Sequence, residues 1–114
     1  MSLKRADKFS IVSVTVKDSK KAQLLSEKLL KAKLCACVQI IPKVVSMYWW
    51  KGKINKADES LLIIKTHQSK MRDLMQVIEE NHDYDVPEVL ELKPGLGSSK
   101  YMDWILNSLD IQNP

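Results

Sequence analysis

The stretch ACVQIIPKVVSMYWWKGKINKADESLLIIKT, residues 36–66, decides the fold of this chain. Two runs rich in β-branched and aromatic residues, 36–50 and 53–66, are separated by Lys51-Gly52. Such runs favour strands, and a turn-forming glycine between them is the signature of a β-hairpin. We therefore predict two long antiparallel strands joined by a tight turn.

The length of this hairpin predicts an oligomer. At about 3.3 Å per residue, the strand 36–50 would extend on the order of 50 Å, whereas a domain of this size has a diameter of about 35 Å. Pro42 permits a bend or bulge, because proline has no N–H for a central ladder. The hairpin should still project and expose Tyr48, Trp49 and Trp50 unless another chain covers them. We predict that these three side chains lie at a subunit interface.

Upstream of the hairpin, the sequence predicts one strand and one helix. Residues 9–17 alternate small polar and β-branched side chains, which is typical of a strand. Asp18 can cap a helix that runs to Lys33, with apolar residues at helical spacing on one face.

Downstream of the hairpin, the sequence predicts a second helix, a fourth strand and a last helix. Ser69 can cap the second helix, which would run to about Asn81. Residues 86–92 read as the fourth strand. After a loop containing Pro94, Gly95 and Gly97, Ser98 or Ser99 can cap the last helix.

The resulting order is β-α-β-β-α-β with an additional C-terminal helix. Two β-α-β crossovers fused through a hairpin give an α+β, ferredoxin-like sandwich. We expect a single domain over residues 9–110, with flexible termini at 1–8 and 111–114. Both helices should pack on one face of the sheet, so that the other face is wet or covered by a neighbour.

Composition indicates an ordinary globular protein of one domain. Of its 114 residues, 45% are hydrophobic and 28% charged, and no window approaches the roughly 18 to 20 apolar residues of a membrane span. The N-terminus lacks an apolar signal core. We therefore expect a cytoplasmic protein without a membrane partner, in which Cys35 and Cys37 are reduced thiols.

The net charge of +4 combines a basic first half with an acidic second half. A solvated mixed surface explains this pattern better than a basic patch for nucleic acid or an anionic ligand. An RNA-recognition module of this architecture stacks bases on aromatic side chains of its central strands. Residues 61–66 of the third strand contain no aromatic residue, so we expect no nucleic-acid partner.

Motifs of catalysis are missing from the sequence. The three glycines lack the spacing and the strand-to-helix context of a phosphate-binding loop. There is no nucleophile-elbow motif, and no nucleophile–base pair can be assembled from the sequence. We therefore expect that the protein is not an enzyme.

Several short motifs occur together in one order over about residues 11–109. They are Ala36-Cys37-Val38-Gln39-Ile40 with Pro42, Ser46-x-Tyr48-x-Trp50-x-Gly52, Glu59, Lys65-Thr66, His82-x-Tyr84-x-x-Pro87-Glu88 and Tyr101-x-x-Trp104. This set resembles the CutA divalent-cation tolerance family. The resemblance departs from the usual pattern at Gln39, where Asn is common, and at Cys35, where a small residue is usual.

The resemblance implies a homotrimer of ferredoxin-like subunits, generally cytoplasmic, that is associated with tolerance of copper and other divalent cations. Its segments around Cys37 and His82 are expected near a cleft between subunits. Imidazole, thiolate and carboxylate groups suit copper or zinc. We therefore predict His82, Cys37 and Glu88 as metal ligands for copper or another divalent cation, with no obligatory cofactor.

Each of these residues also has a structural interpretation. Cys37 suits a small buried hydrophobic position, and His82 suits a hydrogen-bonded imidazole in a connector. Glu88 could instead form an ion pair with Lys65.

Two other functions remain open. Tyr84, Trp50 and Lys65 suggest a cleft for a small anionic molecule, which would make the trimer a signalling module. The trimer could also be a structural scaffold that binds partner proteins.

Overall fold

The long hairpin is the largest feature of the structure, which is a computed structural model that describes residues 1–112. It consists of strands β3 and β4. In chain order the elements are β1 (Leu3–Arg5), β2 (Phe9–Val16), α1 (Ser19–Lys31), β3 (Cys37–Trp50), β4 (Lys53–His67), α2 (Met71–Glu80), β5 (Val89–Leu92), β6 (Leu96–Ser98) and α3 (Ser99–Ser108).

Four of the strands form one antiparallel sheet in the order β3-β4-β2-β5. Helices α1 and α2 cover one face, because alternate residues of β2 and β4 point towards their apolar sides and form the main core. The predicted α+β ferredoxin-like sandwich is confirmed. The fully buried members of this core are Val12, Val14, Ala22, Leu29, Leu62, Ile64, Leu74 and Ile78.

The turn and the bend of the hairpin agree with the sequence prediction. Lys51 and Gly52 both have positive φ, 52° and 76°, as the tight hairpin turn with matching twist requires. The register shifts between Ile41 and Val44, and Lys43 within this bulge has φ of 56°. Pro42 therefore lies where the ladder is interrupted, as its missing N–H demands.

The outer half of the hairpin, residues 44–59 beyond the bulge, extends past the region that the helices cover. The molecule measures 49 × 26 × 22 Å, and the long dimension exceeds the diameter of about 35 Å expected for a compact domain. Met47 is 70% exposed and Trp49 is 73% exposed on this outer half. Residues 1–112 leave these two apolar side chains largely uncovered.

A second small sheet was missed by the sequence analysis. Residues 3–5, which that analysis left in a flexible N-terminus, form β1 and pair with β6. Lys4 Nζ donates to Asp103 Oδ1 on α3 at 2.6 Å, and Ala6 is fully buried in a second core beneath that helix. In the expected flexible tail 111–114, residues 113 and 114 lie outside the described residues.

Two helix starts were predicted correctly and one was wrong. Asp18 accepts a hydrogen bond from Lys21 N, and Ser98 accepts one from Tyr101 N, so both are N-caps. Ser69 does not cap α2. Instead, the His67 ring accepts from Ser69 N at the start of a single 3₁₀ turn, Gln68–Lys70, which precedes the helix.

The fourth strand of the large sheet is shorter than predicted. It begins at Val89 rather than at residue 86, and it pairs with β2 only from Val14↔Val89 to Ile11↔Leu92. Pro87 has no N–H to donate to a ladder. Residues 86–88 therefore run outside the sheet, where they border the groove described next.

Candidate functional site

An open groove of about 920 Å³ separates the outer half of the hairpin from the segment 84–88. One wall is the β3–β4 ribbon with its aromatic tip, and the other wall is the connector between α2 and β5. Tyr48, Trp49 and Trp50, the predicted interface residues, all line the ribbon side. Their side chains remain 44%, 73% and 42% exposed.

Carboxylates dominate the charged lining of this groove. Asp58 and Glu59 come from β4, and Asp85 and Glu88 come from the connector, whereas the single cationic side chain in the lining is Lys17. Nearby charges of one sign in a concave site attract ions of the opposite sign. We call this feature the acidic groove, and its charge favours a cationic ligand over an anionic one.

Tyr84 ties the two walls of the acidic groove together. Its hydroxyl donates to Glu59 Oε2 at 2.8 Å, and Glu59 is only 7% exposed. The pKa of Tyr84 is raised above its usual range, first by burial and then by the hydrogen bond to the Glu59 carboxylate and its charge. The phenol therefore stays protonated and holds a buried carboxylate that would otherwise lack this donor.

His82 is fixed by hydrogen bonds at both ring nitrogens. Nδ1 accepts from the backbone N–H of Tyr84 at 3.2 Å, and Nε2 lies 2.7 Å from the carbonyl oxygen of Thr15. Since Nδ1 is an acceptor, the proton is on Nε2 and is donated to Thr15. The ring also packs against Tyr84, with centroids 4.7 Å apart. The sequence analysis gave two interpretations of His82, a metal ligand and a hydrogen-bonded imidazole in a connector. The observed hydrogen bonds are those of the second interpretation.

The three predicted metal ligands do not meet within one subunit. Glu88 accepts from Ser13 Oγ at 3.0 Å, and His82 lies against Thr15, whereas Cys37 is in register with Lys65 and Ile11. Four strand residues separate the levels of Ile11 and Thr15, which is about 13 Å. Metal ligands lie only about 2.0–2.3 Å from the ion, so Cys37 is too far from His82 to share one.

No cluster of three or more His, Cys, Asp or Glu side chains among residues 1–112 is arranged to hold a metal ion. A metal site made by His82, Cys37 and Glu88 therefore remains a prediction.

Lys65 lies outside the acidic groove and is not paired with Glu88. Its ammonium group sits 5.6 Å from the centroid of the Tyr101 ring, and Tyr101 stacks on Trp104 at 5.7 Å with an interplanar angle of 14°. Of the three residues predicted for an anion cleft, Tyr84 and Trp50 line the same groove, and Lys65 belongs to this separate aromatic stack.

The two thiols occupy different environments. Cys35 is buried in the main core, and burial raises the pKa of its thiol to about 12. Cys37 is only partly buried, and both are free cysteines. The role of a small buried hydrophobe, which the sequence analysis offered for Cys37, is thus filled by Cys35.

The sequence analysis missed the function of Glu59 as the partner of Tyr84. A signal was present, because Glu59 is an acidic residue two positions before the apolar run 61–64 of a strand. A carboxylate there must find a donor if it is buried. Only the fold reveals that this donor is a tyrosine 25 positions away.

Within residues 1–112, no helix has the length and apolar character needed to cross a membrane.

The chain was compared with known families and structures. The model of the CutA1 divalent ion tolerance protein family matches residues 10–108. The chain is 44% identical over 98 residues to the chloroplastic protein CutA of Arabidopsis thaliana, covering 86% of this chain and 54% of that protein. It is 35% identical over 99 residues to the divalent-cation tolerance protein CutA of Pectobacterium atrosepticum, covering 87% of this chain and 90% of that protein.

Solved structures give the same result. CutA from Synechococcus elongatus has a TM-score of 0.90 at 34% identity, with 95% of this chain and 96% of that chain covered. CutA1 from Oryza sativa has a TM-score of 0.85 at 40% identity, with 93% and 95% covered. This chain spans about half the length of the plant relatives that it matches, 54% for Arabidopsis and 55% for rice. On the family match and on these identities, the chain belongs to the CutA1 divalent ion tolerance family.

Proposed function

We propose that this protein is a cytoplasmic homotrimer that binds a divalent cation, with copper as the first candidate, and that it has no catalytic activity of its own. Bacterial relatives are named divalent-cation tolerance proteins. The proposal is supported by the acidic groove, which presents four carboxylates against one lysine beside a wall of exposed aromatic side chains. The groove is the observation that carries the proposal.

The trimer is supported by two exposed apolar surfaces. One is the outer half of the hairpin, and the other is the sheet face opposite α1 and α2, where Leu90 and Leu92 are exposed. Both edge strands of the sheet, β3 and β5, carry unpaired backbone groups. A closed ring in which each hairpin extends a neighbour's sheet would cover the apolar surfaces and pair the edges.

Two features support the binding of a divalent cation. The acidic groove carries an excess of carboxylates, and residues 1–112 supply only part of a ligand set there. Carboxylate oxygens suit divalent cations in general, and imidazole and thiolate ligands add preference for copper and zinc. Glu88 is the best first ligand, because its carboxylate is exposed at the groove and, among residues 1–112, accepts a hydrogen bond from Ser13 alone. We propose that the remaining ligands come from a second subunit.

His82 and Cys37 could contribute to the cation site only under different conditions. Both nitrogens of His82 are engaged in hydrogen bonds, so ligation would require the ring to give up one of them. Cys37 lies at the base of β3, at the level of Lys65, and could act only together with groups of another subunit. Glu88 is therefore the position at which a substitution tests the cation site most directly.

The decisive experiment is metal analysis of the purified, untagged protein together with its oligomeric mass in solution. Copper is then titrated by calorimetry into the wild type and Glu88→Gln, with Glu27→Gln as the control, since Glu27 is an exposed carboxylate on α1. We expect Glu88→Gln to weaken binding by on the order of tenfold or more, and Glu27→Gln to leave it unchanged. Equal affinities for all three proteins, or a monomer at micromolar concentration, would contradict the proposal.

A second candidate function is the binding of a small organic molecule. The specific observation is that CutA from Synechococcus elongatus, 33% identical with a TM-score of 0.87, is described in complex with Bis-Tris. Anion binding that is weakened in Lys65→Ala, with unchanged copper affinity, would favour the signalling module and would place its site beside the Tyr101 ring rather than in the acidic groove. Recovery of a stable protein partner without any ligand binding would favour the scaffold.

A further inference from the structure

A second cavity lies on the other side of the segment His82–Tyr84, between that segment and helix α1. Its volume is about 320 Å³, which is within the range of natural ligand pockets and about twice that of an engineered cavity of roughly 150 Å³ that binds benzene. The floor is apolar and consists of Val16, Leu24 and Leu25. The cavity therefore has room for a molecule with a small ring or branched apolar body.

Lysines surround the mouth of this cavity, which we call the lysine cavity. Lys17, Lys21 and Lys28 line it, and the single carboxylate in its lining is Asp83. Its electrostatic character is thus opposite to that of the acidic groove. Cationic groups around an apolar concavity attract an anion and orient it with its apolar part inward.

The three lysines are not equally available to a ligand. Lys21 Nζ lies 3.3 Å from Asp83 Oδ2, and Lys28 Nζ donates to Asn81 Oδ1 at 2.9 Å. These two contacts hold the connector against α1 and so shape the cavity. Lys17 makes no hydrogen bond or ion pair within the part of the chain that the structure describes, and its ammonium is free to bind an anion.

Leu24 provides exposed apolar surface in the lining of the cavity. It is 56% exposed although its neighbour Leu25 is buried, and both side chains line the cavity. An apolar body bound there would cover Leu24 while its charged group remained at the lysines. We propose that the lysine cavity is a binding site for a small amphipathic organic anion, a carboxylate attached to a compact apolar group.

The proposal does not depend on cation binding in the acidic groove, and it can be tested with three probes on the full-length protein. Benzoate carries both features, acetate carries only the charge, and benzyl alcohol carries only the ring. Methyl NMR shifts report the location, because Leu24 and Leu25 lie in the lysine cavity, whereas Ala57 and Val86 line the acidic groove. We expect benzoate to shift the two leucines and to bind at least about tenfold more tightly than either partial probe.

Substitutions in the lysine cavity test the contribution of the Lys17 charge and of the apolar Leu24 side chain to benzoate binding. Lys17→Gln should weaken benzoate binding by about threefold to fivefold, the range for one exposed charge pair. Leu24→Asp places a carboxylate on the floor and should weaken it further, and Lys20→Gln, an exposed lysine of the same helix outside the cavity, should have no effect. Equal binding of benzyl alcohol, shifts confined to Ala57 and Val86, or no shifts at millimolar benzoate would overturn the proposal. Because Lys17 is exposed, that variant remains informative even if Leu24→Asp fails to fold.

Discussion

Both halves of the long hairpin form strands, but their surroundings are opposite. In the inner half, Leu62 and Ile64 of β4 are completely buried beneath α1 and α2. In the outer half, Met47 and Trp49 of β3 are mostly exposed, although they belong to the same pair of strands. Strand-forming residues thus explain why both halves are strands, but only burial explains what stabilises each. The inner half is stabilised by its own chain, whereas Met47 and Trp49 of the outer half stay exposed in the structure of residues 1–112.

The largest effect is expected at the outer half, for Trp50→Ala. If the ring is buried between subunits, removing it should destabilise the assembly by about 3–5 kcal/mol, the usual cost of such a truncation in a core. Thermal unfolding and oligomeric mass at several protein concentrations measure this effect. An unchanged melting temperature together with an intact trimer would refute the placement of Trp50 at an interface.

The matching substitution in the inner half is Leu62→Ala. This side chain is fully buried between the sheet and the helices, so the change should cost about 2–5 kcal/mol. Unlike the effect of Trp50→Ala, this loss should appear in the subunit itself. Urea denaturation is measured at a low protein concentration that favours the monomer and at a high one that favours the assembly, and this separates the two cases. A loss seen only in the assembly would mean that the two halves do not differ as described.

Tyr84→Phe tests the contact between the outer half and the connector. The change removes the donor to the buried carboxylate of Glu59, and an unsatisfied buried acceptor costs about 1–3 kcal/mol. Tyr48→Phe is the matched control, because no hydrogen bond of the Tyr48 hydroxyl is found among the described residues and its side chain is exposed. We expect a stability loss for Tyr84→Phe alone, and equal losses in both variants would contradict the role of Tyr84.

Gly52→Ala tests the turn that joins the two strands. Gly52 has φ of 76°, and a Cβ there would meet no atom within 4 Å. Any loss of stability must therefore come from the backbone conformation, which costs about 1 kcal/mol for a residue with a side chain. Gly95→Ala, which also meets no neighbour, should be nearly neutral. Chemical denaturation of both variants measures the difference.

The smallest effect is expected at the base of β4, where His67 titrates. Its pKa is lowered from the usual 6.5, first by partial burial and then by Lys93, Lys8 and Lys70. The unfolded chain therefore binds more protons than the folded protein just below pH 6.5, and stability falls as the pH decreases through that window. His67→Asn keeps a capping acceptor and should reduce this dependence. Denaturation curves of wild type and variant with equal pH slopes would argue against it.

The sequence predicts the fold well wherever a long periodic pattern exists. The hairpin, its turn at Lys51-Gly52 and the bulge near Pro42 follow from residue types that act locally. The strands β1 and β6 were missed because three residues are too few to show a period of two. Ser69 was chosen as a cap because its hydroxyl suits that position, but the ring of His67 takes its backbone N–H instead.

The candidate site is predicted less completely than the fold. Tyr84, Glu88 and Trp50 were identified, and they line one groove. The grouping of Cys37 with His82 was implied by the family resemblance and supported by residue chemistry, and the strand register that separates their levels is not visible in a single sequence. Opposite charges on the two sides of the connector were also hidden, because lysines of α1 and carboxylates of β4 are far apart along the chain.

The segment from His82 to Tyr84 lies between two cavities, so binding in one cavity can affect binding in the other. Tyr84 and Lys17 line both the acidic groove and the lysine cavity, so a molecule that repositions either side chain on one side acts on the binding energy of the other. Such heterotropic coupling is reciprocal, and each ligand changes the affinity of its counterpart by the same factor. A cation in the acidic groove and an organic anion in the lysine cavity would therefore change each other's affinity without direct contact.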